Sequence, residues 1–333
     1  MSRAEAQYPI QRMFTSRLSR LFSLAVPLAL AACDGAESPL APVDAPPAPA
    51  VEPAVSALLT ATADQRIVFQ SYRSGNGDIY KMDTKGSHLV RLTSTSAEDR
   101  VPTWSYDNKR IALVRPRLDA ANVSHDDIYV INADGTGGHW ARSQASPWRL
   151  GDPSWSPDGS HLVLYVVVGS IAYLGRMDLA TGQISLINGS GVNYEGQQPS
   201  YDRTGQKIVY VGPGLKNVYQ INADGTGFKV LVSSTAYVQR PAYSPDGKKL
   251  AYSRMVTGNE ELFVKNFVDG TTRRLTTSAG EDYWPSWSPD GSRIAFTSRR
   301  SGTLQIWTMG ANGGSPLRIT NTTGTELYPQ WSH

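Results

Sequence analysis

Cysteine is nearly absent. The 333-residue chain has one, Cys33, so no disulfide can form within it and a disulfide-stapled fold is excluded. Histidine is scarce, and its five copies (His88, His125, His139, His161 and His333) show no His-x-x-x-His spacing. His139 and His161 read as turn and strand-start residues. A Gly-x-Ser-x-Gly elbow and a phosphate-binding loop are both missing, so neither a serine hydrolase nor a nucleotide enzyme is indicated, and no catalytic residue, cofactor or metal site is assigned. Long apolar runs are confined to Leu21 to Leu30, too short for a membrane span. Charge of one sign is also lacking. The chain as a whole is +3, but four arginines and one glutamate lie in residues 1–32, which leaves 28 basic and 28 acidic residues beyond them. No basic footprint for nucleic acid remains.

What is present begins with an export signal. Arg12, Arg17 and Arg20 precede the short apolar run, which ends in Leu30-Ala31-Ala32-Cys33. That ending resembles the lipobox of bacterial lipoproteins, so residues 1–32 are expected to be a cleaved signal peptide and Cys33 the lipidated residue. Residues 36–57 hold six prolines among alanines. Such a segment buries no core and is expected to be an extended tether, about 3.1 Å per residue where it is polyproline II. Three parts follow: the signal 1–32, a lipidated tether 33–60 and a folded domain 61–333.

The folded domain is built on one repeated stretch, Pro285-Ser286-Trp287-Ser288-Pro289-Asp290-Gly291. Serine, proline and glycine stand where a type I turn prefers them, and tryptophan supplies a large apolar surface before it. Related stretches start at Pro102, Pro153, Pro199, Pro241 and Pro329, in steps of 51, 46, 42, 44 and 44 residues. A period near 45 made of short strands is the mark of propeller blades. Each turn leads to an apolar strand such as Ile294-Ala295-Phe296, then to a third such as Asp78-Ile79-Tyr80, then to an outer one such as Arg91-Leu92-Thr93. The third repeat is degenerate around Leu174. The sequence therefore predicts an all-β, six-bladed propeller with four-stranded blades. The first repeat lacks an innermost strand and the last Pro329 strand is spare, so the C-terminal strand is expected to join the first blade and close the ring.

The Pro-x-Trp-Ser-Pro-Asp-Gly, Asp-Ile-Tyr and Arg-x-Leu-Thr elements resemble the WD-like repeats of TolB, the propeller of the Tol–Pal envelope system, across residues 66–333. The resemblance implies a non-enzymatic binding and scaffold module of the bacterial cell envelope; the lipobox at Cys33 adds the expectation of a lipid anchor, facing the periplasm or the cell surface, whereas TolB is soluble in the periplasm. Its partner would be an envelope protein or peptide, a peptidoglycan-associated lipoprotein among the candidates, and the domain is expected to be a monomer. It departs from TolB in having a proline-rich tether where TolB has an α/β domain.

Propellers commonly meet ligands at the loops entering the innermost strands, which here precede each repeat proline. Arg100, Asp152, Gln198, Arg240, Tyr283, Trp284 and Tyr328 are accordingly the candidate partner-binding residues, a mixture of charge and amphipathic aromatics suited to recognition. The alternative is a propeller enzyme or glycan-binding protein acting on a polysaccharide or peptide in the channel, with acids such as Asp99, Asp152, Glu195 and Asp282 available for acid–base work. The Asn-Ala-Asp-Gly-Thr-Gly runs at Asn132 and Asn222 place oxygens at alternating positions, but without the glutamate of an EF-hand loop they read as Asp-Gly hairpin turns.

Overall fold

The computed structural model describes residues 65–143, 148–189 and 191–333; the expected signal peptide, Cys33 and the expected tether lie outside them. Six four-stranded antiparallel sheets hold nearly all the strands of the described residues. The last blade shows how one is made. Its strands are Asp282–Trp287, Arg293–Ser301, Thr303–Gly310 and Leu317–Arg318, hydrogen-bonded in chain order. Between the first two lies the repeated turn. Gly291 N–H donates to the Ser288 carbonyl at 2.8 Å, closing the type I turn with Gly291 at φ +70°. The Ser288 hydroxyl accepts Arg293 N–H at 2.9 Å and donates to Asp290 at 2.6 Å, so the motif's serine and aspartate are spent on the turn itself. Ser105, Ser156 and Ser244 repeat these bonds in their blades.

The motifs that carry the resemblance have equally local work. In the first blade Arg91 pairs with buried Asp78 at 2.7 Å, while the Thr93 hydroxyl accepts Ile79 N–H at 2.9 Å. In the fifth blade Arg274 pairs with Glu261 at 2.8 Å and Thr276 accepts Leu262 N–H at 2.9 Å. Each pair ties an outer strand to the third strand and neutralises a carboxylate that burial would otherwise penalise.

Apolar side chains pack between blades rather than within one. Among the described residues there are six buried clusters, and each draws its residues from two consecutive blades around the ring. Two of the four repeat tryptophans are also hydrogen-bonded there: Trp155 Nε1–H donates to the Thr103 carbonyl and Trp287 Nε1–H to the Ala242 carbonyl, each at 3.1 Å in the preceding blade. Closure occurs as the sequence predicts. Glu326–Trp331 pairs antiparallel with Arg66–Ser71, Ile67 facing Trp331 and Ser71 facing Glu326. Ser332 N–H donates to the Arg66 carbonyl at 2.8 Å, and Arg66 N–H donates to the Ser332 hydroxyl at 3.0 Å.

The third repeat is more regular than expected. Its third strand is complete, Ile171–Asp178, with Leu174 fully buried against the next blade. A short ladder of Asn188–Gly189 with Val192–Asn193 is inserted after it, which the sequence reading lacked.

Candidate functional site at the channel mouth

The innermost strands surround an axial cavity of about 170 Å³ whose wall includes all six repeat prolines. The residue before each of those prolines is held in the left-handed region: Val101 at φ +51°, Asp152 at +51°, Gln198 at +56°, Arg240 at +49°, Trp284 at +54° and Tyr328 at +53°. None is glycine or asparagine, and a following proline disfavours helical backbone of either hand, so all six positions are strained. Each also sits in a break of register, between Tyr283 and Ser286 for example, with the equivalent break in the other five blades. A bulge adds one residue and re-aims its side chain. Here it gathers six unlike side chains at the mouth.

Half of this ring is polar and linked across blades. Arg240 ion-pairs with Asp152 two blades away. Arg240 N–H also donates to Gln198 Oε1 at 2.8 Å, and Gln198 N–H is bonded to the Asp152 carboxylate. Burial pushes the Asp152 carboxyl up from its ordinary pKa, against the opposing pull of the Arg240 charge. The other half is apolar: Val101, packed against the core between the second and third blades, and the aromatics Trp284 and Tyr328. Trp284 stacks on Tyr328 with centroids 4.0 Å apart and on Tyr283 at 5.1 Å, and the Arg240 guanidinium lies 4.9 Å over the Tyr328 ring. Asp152 and Trp284 are each only 7% exposed, so they form the floor of the mouth more than its rim.

Of the seven residues picked from the sequence, Asp152, Gln198, Arg240, Trp284 and Tyr328 meet in this ring. Arg100 and Tyr283 stand one residue earlier. Arg100 turns aside to ion-pair with Asp126, which Arg149 also approaches at 3.5 Å. The sixth ring member, Val101, belongs to the candidate loop Glu98-Asp99-Arg100-Val101 but was not among the seven, although its place before a repeat proline was a usable signal.

The acids put forward for acid–base work do not converge. Asp99 is gripped by Arg115 at 2.6 and 2.7 Å, Asp282 by Arg300 at 2.8 Å and Asp152 by Arg240, whereas Glu195 is exposed. Among the described residues no three His, Cys, Asp or Glu side chains are grouped to hold a metal ion. The Asp134 and Asp224 carboxylates accept the hydroxyl and N–H of Thr136 and Thr226 within their own turns.

Residues 198–333 match the family model of the TolB beta propeller domain. The ring of blades and this match decide the class. The domain is a TolB-like β-propeller. A TolB homolog of Chlorobium luteolum is 30% identical over 122 residues, 36% of this chain and 27% of that protein. An uncharacterized peptidase of Bacillus subtilis, YuxL, is 26% identical over 195 residues, 58% of this chain and 27% of that one. Among solved structures, TolB from Acinetobacter baumannii superposes with a TM-score of 0.69 at 21% identity, covering 80% of this chain and 66% of that one. This TolB-like chain thus spans about a quarter of the length of the curated relatives it matches.

Proposed function

We propose that the TolB-like propeller is a non-enzymatic binding and scaffold module of the bacterial cell envelope, exported by the signal at residues 1–32, anchored through a lipid on Cys33, and engaging an envelope protein or peptide at the channel mouth. The observation that carries the reading is the ring of left-handed residues. The same left-handed backbone position recurs in all six blades, and there the blades present Val, Asp, Gln, Arg, Trp and Tyr in turn. Strain kept at one place with a different side chain each time suits recognition of an asymmetric partner. The TolB relatives and the neutral charge balance favour a protein partner over nucleic acid.

The test is retention from envelope extract, read by mass spectrometry, on the full chain and on the triple variant Arg100→Glu, Arg240→Glu, Trp284→Ala, each first checked for a cooperative melt. A protein held by the wild type and lost by the folded variant supports the reading. Equal retention by both removes the mouth from it. The likeness to a peptidase keeps a second reading open, a propeller that acts on a peptide or polysaccharide in the channel; turnover abolished by Asp152→Asn and Glu195→Gln would favour it.

A further inference from the structure

Buried carboxylates in this propeller are matched with arginines: Asp78 with Arg91, Asp99 with Arg115, Asp127 with Arg117, Glu261 with Arg274, Asp282 with Arg300, and Glu326 with Arg73. Glu260, in the strand Asn259–Asn266 of the fifth blade, breaks the rule. It is 3% exposed, and its recorded partners are neutral: the Ser253 hydroxyl donates to Oε1 at 2.6 Å and the Gln239 amide to Oε2 at 3.4 Å. Asp202 also lacks an arginine, but it takes the turn serine's place and accepts Lys207 N–H at 2.9 Å.

The charges around Glu260 are already committed. On its own blade Arg254 stacks on Phe263 at 4.0 Å, Arg274 holds Glu261, and Arg240 of the innermost strand holds Asp152. From the sixth blade come Asp282, held by Arg300, and Glu281, paired with Arg299 at 2.9 Å. Glu281 repels a charge on Glu260 and is hydrogen-bonded to Tyr283, the aromatic that stacks on Trp284.

We infer that Glu260 is a proton-operated catch for the aromatic side of the mouth. With its carboxyl neutral, the Arg299–Glu281–Tyr283 chain is undisturbed and Tyr283 stays against Trp284. Once ionised, Glu260 is an anion without a cation beside a second anion, and Arg299, held by that second anion at 2.9 Å, is drawn between them. Glu281 and Tyr283 then shift, and the stack on Trp284 loosens. Burial supports a transition near neutrality: it raises the Glu260 carboxyl to about 7, Ser253 opposing and Glu281 adding to the rise. The sign for stability follows, since the folded state resists ionisation. The domain gives up stability as pH climbs from the ordinary glutamate value of 4.5 to about 7, and no more above that.

This device is a property of the folded chain and is testable with no partner. Tryptophan fluorescence of the full chain, titrated from pH 5 to 8.5 in native buffer, is expected to show a step near neutrality that Glu260→Gln and Trp284→Phe each abolish. A step that survives Glu260→Gln overturns the inference, as does no step in the wild type. Glu281→Gln supplies an independent arm should Glu260→Gln not fold: removing the repelling charge moves the midpoint toward acid by a fraction of a pH unit, and an unmoved midpoint overturns the coupling.

Discussion

The two ends of the channel are built from the same six strands and differ in every other respect. At the turn end, Ser105, Ser156, Ser244 and Ser288 make the same bond to the N–H five residues on, at 2.9 Å in all four blades. At the mouth, only a few residues earlier in each blade, the backbone is again the same and the side chains share nothing. Uniform residues mark where the fold needs a turn; uniform backbone under unlike residues marks where the fold offers a surface. A repeat protein can thus separate what holds its blades together from what distinguishes them.

The largest way to break this comparison is to remove the strand common to both ends. Deleting residues 328–333 takes away Trp331, 2% exposed, and the ladder to Ile67 and Val68. The domain is expected to lose its cooperative melt or to associate through the uncovered edge, checked by calorimetry and size-exclusion chromatography. An unchanged melting temperature would remove the closure from the account.

A mouth substitution comes next. Arg240→Ala leaves Asp152 without its counter-charge, and the expected loss is about 3 kcal/mol, the low end for a buried pair because the arginine side chain is 20% exposed. The loss should shrink as pH falls, because Asp152, already raised by burial, protonates and no longer needs a partner. Urea denaturation at two pH values measures both.

The smallest effect sharpens the contrast. Ser→Ala at 105, 156, 244 and 288 should each lower stability by about 1 kcal/mol, the worth of the bonds removed, and the four values should agree to a few tenths. Alanine at Val101, Gln198 and Tyr328 should give three unlike values, since those side chains touch different things. A scatter among the four serines as wide as that at the mouth would erase the distinction.

Fold and closure were legible because the tryptophan turn recurs at nearly constant spacing and because one strand is missing at the start and spare at the end. The third strand Ile171–Asp178 was harder to read, since its Ile-Ala-Tyr-Leu-Gly run lacks the Asp, Asn, Glu or Gln that opens the motif in the others and is held in place by its neighbours. The mouth was legible as a set of loops and illegible as a ring. Left-handed backbone is normally announced by glycine or asparagine, and here it is imposed by the bulge on Val, Asp, Gln, Arg, Trp and Tyr. The pairing of Asp152 with Arg240 joins residues 88 positions apart, which no local pattern encodes.

The seam in the first blade also sets a timetable. Arg66 meets Ser332 across 266 residues, so the earliest strands of the domain to leave the ribosome are completed by nearly the last. Until then Arg66–Ser71 presents a bare edge, and the five later blades can form by local pairing while the first cannot. The joint that makes the ring continuous is therefore the last pairing open to the emerging domain, and the interval before it forms is when a neighbouring chain's strand has its best chance of taking the vacant place.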